Sequence, residues 1–112
     1  MITLQTLIDN FGYKLLTDGV DTSREIRSLG CCDLLSWVMA NGKEDEAWIT
    51  VQTHTNILAV TSLLDMACII IPEGITVETA TLEKANEKNI PIFSTSESPY
   101  AIFTRFYESG LR

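Results

Sequence analysis

The sequence predicts an α/β domain of three layers, with helices on both faces of a mainly parallel sheet, and two patterns carry that prediction. Short apolar or β-branched runs at 47–51, 67–71 and 91–93 alternate with helical patterns, the arrangement that gives right-handed βαβ crossovers. The run Ala67-Cys68-Ile69-Ile70-Ile71 lacks polar alternation, as a strand covered on both faces should. With 112 residues and 46% hydrophobic content, the chain is expected to fold as one domain over 1–112 around a packed core.

Leu4, Leu7, Ile8 and Phe11 recur at helical spacing after Thr3, which suits an N-cap, and Gly12 stands where that helix would stop. Tyr13 to Thr17 reads as a strand ended by Asp18-Gly19, and Glu25 to Leu29 as a second short extended segment. A two-turn helix is expected from Asp33, which would face its positive end, with an apolar stripe at Leu34, Leu35, Val38 and Met39 and Gly42 beyond its end. Glu44-Asp45-Glu46 reads as a solvated turn before the strand Ala47 to Val51.

The strand at 47–51 leads through Gln52-Thr53-His54-Thr55 into a helix from Asn56 to Met66. The strand at 67–71 leads through Pro72-Glu73-Gly74-Ile75 into a helix from Val77 to Lys88. Pro91 to Phe93 leads through Ser94-Thr95-Ser96-Glu97 into a last helix bearing Tyr100, Phe103, Phe106 and Tyr107. That aromatic stripe is most simply core packing, with enough aromatic density for a subunit interface as well.

Fifteen acidic against eight scattered basic residues give a net charge of −7. This argues against nucleic acid, which needs clustered Lys and Arg, and against an anionic membrane surface. No apolar run approaches the roughly 20 residues of a membrane span, and Met1-Ile2-Thr3-Leu4-Gln5 does not read as a signal peptide. Three cysteines cannot all pair, and Cys68 sits in an apolar run, so a reducing, cytoplasmic setting is expected.

Parallel strands bring their carboxyl ends to one sheet edge, where ligands of open α/β sheets bind near a switch of strand order. The candidate ligand-binding residues there are Thr53, His54 and Asn56, Glu73 and Gly74, and Thr95 and Ser96, with helix N-termini behind them that favour an anion. The simpler alternative is that Thr55 and the hydroxyls of 94–98 only cap helices. His54, the single histidine, lacks a recognisable nucleophile or orienting carboxylate, which favours a surface or capping role over catalysis. Cys31, Cys32 and Cys68 have no zinc-site spacing, and neither a phosphate loop nor a dinucleotide fingerprint occurs. No catalytic residue, metal or cofactor is implied.

Ser23-Arg24-Glu25-Ile26, Cys32-Asp33-Leu34-Leu35-Ser36-Trp37-Val38-Met39, Trp48-Ile49-Thr50-Val51-Gln52-Thr53-His54 and Ala67-Cys68-Ile69-Ile70-Ile71 together resemble the stand-alone DRTGG-domain proteins of anaerobic bacteria and archaea. That family is similar to the N-terminal domain of HPr kinase/phosphorylase and, more distantly, to the substrate-end domain of Mur ligases. The resemblance implies an α/β/α fold and a regulatory or scaffold role rather than catalysis. It also implies self-association as a homodimer, a partner protein, and a link to anaerobic redox metabolism through iron hydrogenase components. The alternative it leaves open is a sensor of a nucleotide or other anion at the carboxyl edge. Laid onto these loops, the name-giving Asp-Arg pair falls on Thr53-His54 and Thr-Gly-Gly on Pro72-Glu73-Gly74, where only Gly74 is kept.

Overall fold

In a computed structural model describing residues 1–112, the chain opens on a helix that its second and third residues prepare. Thr3 accepts the N–H of Thr6 at its side chain while the Thr6 hydroxyl accepts the N–H of Thr3, a reciprocal cap on α1 (Leu4–Asp9). Gly12, at φ 72°, turns the chain into β1 (Lys14–Leu15). The remaining elements are β2 (Ser28–Cys31), α2 (Leu35–Asn41), β3 (Glu46–Ile49), α3 (Asn56–Leu64), β4 (Cys68–Ile71), α4 (Thr79–Lys88), β5 (Ile92–Ser94) and α5 (Pro99–Glu108).

The five strands form one sheet in the order β1-β5-β4-β3-β2. Strands β2 to β5 are parallel, with Trp48 beside Ile69 and Ile70 beside Phe93, and only β1 is antiparallel, Lys14 lying opposite Ser94. The expected parallel neighbours are therefore present, on a sheet extended by one parallel and one antiparallel strand. Because β2 to β5 follow one another in space as in sequence, successive crossovers of one hand place α2, α3 and α4 on the same face.

Strand alternation divides the core. Trp48, Ile69, Ile71 and Ile92 pack under Val38 of α2, Ile57, Leu58 and Val60 of α3 and Ala85 of α4. Ala47, Ile49, Cys68, Ile70 and Phe93 face the other way, against Leu4 and Leu7 of α1 and Ile102 and Phe106 of α5. Each fully buried isoleucine or leucine contributes about 2 kcal/mol by leaving water.

Four expectations change. Asp33 does not cap α2: its carboxylate accepts the Thr50 hydroxyl at 2.8 Å and the Val51 N–H at 2.9 Å, tying the segment after β2 to the end of β3. Of the α2 stripe, only Val38 is buried, while Leu34 and Met39 are exposed, because a two-turn helix at the end of the row has a neighbouring helix, α3, on one side only. The acidic turn is not simply solvated, since Asp45, at φ 64°, pairs with Arg24 at 2.9 Å and with Arg27 at 3.3 Å. In α5 the core takes Ile102 and Phe106, spaced one turn apart, and leaves Tyr100, Phe103 and Tyr107 exposed.

Candidate functional site

The strand order does not reverse between β2 and β5, so the expected switch of strand order is absent there. A switch of face takes its place. β4 leaves the sheet toward α4 on one side and β5 leaves toward α5 on the other, and outlets of adjacent parallel strands that diverge leave a cleft between them.

The outlet loops are stitched together at their base. The Glu73 N–H donates to the Glu97 carbonyl and the Gly74 N–H to the Thr95 carbonyl, each at 2.9 Å. Glu73 and Gly74 both hold positive φ, 62° and 67°, and glycine takes this conformation without steric cost. Above the seam lies a cavity of about 670 Å³, within the range of small-molecule sites. Phe11, Leu16, Ile75, Val77 and Leu82 supply its apolar wall, and Thr76, Ser94, Thr95 and Ser96 its hydroxyls.

Two cations reach the cavity, Lys14 from β1 and Arg105 from α5. Thr76, Val77 and Ser96 also line it, and their backbone N–H groups donate to no group of the chain. Arg105 Nε donates to Glu97 Oε2 at 2.5 Å, and the Tyr13 hydroxyl donates to Glu97 Oε1 at 2.6 Å. Burial and then the Glu97 hydrogen bond push the Tyr13 hydroxyl far above its ordinary range, while the Glu97 hydrogen bond also raises Arg105. Both groups keep their protons at any physiological pH, so Tyr13 and Arg105 act here as donors.

Of the residues expected at the edge, Gly74, Thr95 and Ser96 line this cavity, whereas Thr53, His54, Asn56 and Glu73 do not. The Thr53 hydroxyl donates to Glu78 at 3.3 Å and its carbonyl accepts the buried Thr81 hydroxyl at 2.7 Å. His54 is exposed, with Nδ1 accepting the Asn56 N–H at 3.4 Å near the start of α3. The capping alternative holds for Ser98, which accepts the Ala101 N–H, but Thr55 makes no side-chain cap. Lys14, Glu97 and Arg105 are marked by no local motif: Glu97 and Arg105 meet across the first turns of α5, and Lys14 joins them only when β1 pairs with β5.

The cysteines are free, Cys31 exposed and Cys68 buried, and no cluster of three metal-binding side chains forms. No helix is long and apolar enough to cross a membrane. No known protein-family profile and no curated protein matches the chain. The fold nevertheless has a solved counterpart. It is similar to the CBS and DRTGG domains of the regulatory region of Clostridium perfringens pyrophosphatase, solved with the activator diadenosine tetraphosphate, at a TM-score of 0.66 and 14% identity. The likeness covers 91% of this chain and 44% of that one, so this chain spans less than half of that regulatory region. The shared feature is the fold, which in this chain is a five-stranded α/β sheet with helices on both sides.

Proposed function

We propose that this chain is a non-catalytic regulatory module of the DRTGG type, related to the N-terminal domain of HPr kinase/phosphorylase, that senses a small anion in the β4/β5 cleft, nucleotides being the first candidates. The observation that carries this reading is the cleft itself, lined by Lys14, Arg105, an apolar wall and three residues whose N–H groups are unpaired, in a chain of net charge −7. The counterpart's nucleotide activator supports the choice of ligand. Thr53 and His54 in the loop from β3 to α3, Asn56 at the start of α3, and Glu73, next to Gly74, are further contacts we propose for a ligand longer than one nucleotide.

Calorimetric titration with AMP, ATP and diadenosine tetraphosphate tests the proposal. Micromolar to millimolar binding is expected, weakened about tenfold by Lys14→Gln, since one charge-assisted contact contributes on the order of 1.5 kcal/mol. His54→Ala should weaken only the longest ligand. Absence of binding by all three would sink the sensing role.

Self-association is favoured by a separate observation. Leu34, Trp37 and Met39 on the α2 side and Tyr100, Phe103 and Tyr107 on α5 are all exposed, two apolar groups on opposite faces of the sheet, either of which could be covered by a second copy. Light scattering should give twice the chain mass, and Trp37→Asp or Phe103→Asp should return it to the monomer. A partner protein, a cytoplasmic setting and the link to anaerobic redox metabolism complete the proposal on the strength of the sequence resemblance.

A further inference from the structure

The cleft's strongest cation is already occupied. Arg105 gives its Nε–H to Glu97, whose other oxygen holds the Tyr13 hydroxyl, and the same Glu97 lines the cavity beside Ser96. Against an anionic ligand Glu97 is repulsive, yet it has a partner of its own to fall back on. The Glu97 backbone is fixed independently of its carboxylate, its N–H donating to Thr95 Oγ1 at 3.1 Å and its carbonyl accepting the Glu73 N–H. The side chain can therefore turn from Arg105 without unfastening the two loops.

We infer that Glu97 is an internal competitor for Arg105, and that the cleft takes a phosphorylated small molecule whose phosphate replaces the Glu97 carboxylate on Arg105 while Glu97 stays on Tyr13. This rests on the reading of the cleft as an anion site and specifies its ligand. Guanidinium pairs with phosphate in the same two-pronged geometry as with carboxylate. Lys14 supplies the second positive charge, and the N–H groups of Thr76, Val77 and Ser96 and the hydroxyls of Ser94 and Thr76 suit several oxygens of one tetrahedral group. The apolar wall from Ile75 to Leu82 then receives the body of the molecule, which free phosphate lacks.

The occupant thus binds only as well as it outcompetes a resident carboxylate, which raises the concentration needed to release Arg105. It also ties occupancy to α5, because Arg105 lies on the helix that displays Tyr100, Phe103 and Tyr107.

The experiment is calorimetry of AMP, inorganic phosphate and adenosine against wild type, Glu97→Gln, Arg105→Gln and the double variant, with the side-chain Nε–H resonance of Arg105 followed by NMR in the wild type. Glu97→Gln should bind AMP about tenfold tighter than wild type, Arg105→Gln about tenfold weaker, and the double variant no tighter than Arg105→Gln alone. AMP should outbind inorganic phosphate, and adenosine should bind weakest. The Arg105 resonance should move with AMP in step with the heat, which keeps the inference testable if Glu97→Gln fails to fold. AMP binding that Lys14→Gln weakens but Glu97→Gln leaves unchanged, with a static Arg105 resonance, would overturn the competition and keep the cleft. Absence of AMP and phosphate binding by wild type and Glu97→Gln alike would overturn both.

Discussion

Glu46 opens β3 with its carboxylate half-buried over Gly30, where an added methyl would collide with it. Burial raises its pKa, only partly offset by the N–H of Lys43, which donates to Oε1 at 2.9 Å. The folded state thus holds the proton more tightly than the unfolded chain, so the contribution of Glu46 to stability is full below the ordinary carboxylate range and is lost as pH rises through the folded value. Glu46→Gln keeps an acceptor for Lys43 and removes the buried charge. It should be more stable than wild type to urea at pH 7, and the difference should vanish below about pH 4. The cysteines differ by the same physics. Burial pushes the Cys68 thiol far up, and burial followed by the nearby Asp33 charge raises Cys31. Thiol labelling of the native protein at pH 7 should leave Cys68 unmodified and proceed slowly at Cys31, faster in Asp33→Asn, which retains an acceptor for Thr50. Labelling of Cys68 at the rate of Cys31 would contradict its burial.

The last helix shows how an element's pattern can be legible while its orientation is not. Tyr100, Phe103, Phe106 and Tyr107 announce an apolar helix, but the stripe that meets the sheet is Ile102 and Phe106, and nothing in the local spacing chooses between them. Phe106, edge-on to Phe11 at a centroid distance of 5.3 Å, should cost about 3–5 kcal/mol when changed to alanine. Phe103→Ala should cost less than about 1 kcal/mol in the monomer. Denaturant midpoints decide this, and equal losses would mean that α5 is rotated from the orientation described. α2 repeats the lesson, since Leu34 and Met39 carry an apolar signal with no sheet residue to cover them. The parallel strands β3, β4 and β5 were readable because each apolar run is framed by a helix on either side. β2, expected at 25–29, lies at Ser28–Cys31, because it is a half-exposed edge strand without an apolar run. β1 was only half readable, its two residues depending on a partner strand some eighty positions away. The same distance hid half of the cleft. Gly74, Thr95 and Ser96 follow from the rule that ligands gather at carboxyl ends of strands, whereas Lys14 and Arg105 come from a strand amino-terminal to the sheet's main run and from the middle of a helix.

At the scale of the whole molecule, a ligand that binds the folded state alone raises its stability by RT ln(1 + [L]/Kd), about 2.7 kcal/mol at a hundredfold excess. For a chain this size that should lift the melting temperature by roughly 10 °C or more. Added salt should reduce the lift, because it screens the attraction of Lys14 and Arg105 for the bound anion. A lift indifferent to salt would point to apolar binding elsewhere. The order of the sheet has a further consequence in time. β1 touches no strand but β5, and α1 shares its layer with α5. During synthesis β1 therefore waits for a partner strand some eighty positions later, although residues 2–5 can already pair with Thr22, Arg24 and Ile26, and Ile49, Cys68, Ile70 and Phe93 gain part of their cover only from α5. Until Ile102 and Phe106 of α5 come down, that face of the sheet stays partly bare, and an apolar face of this kind is what a chaperone binds.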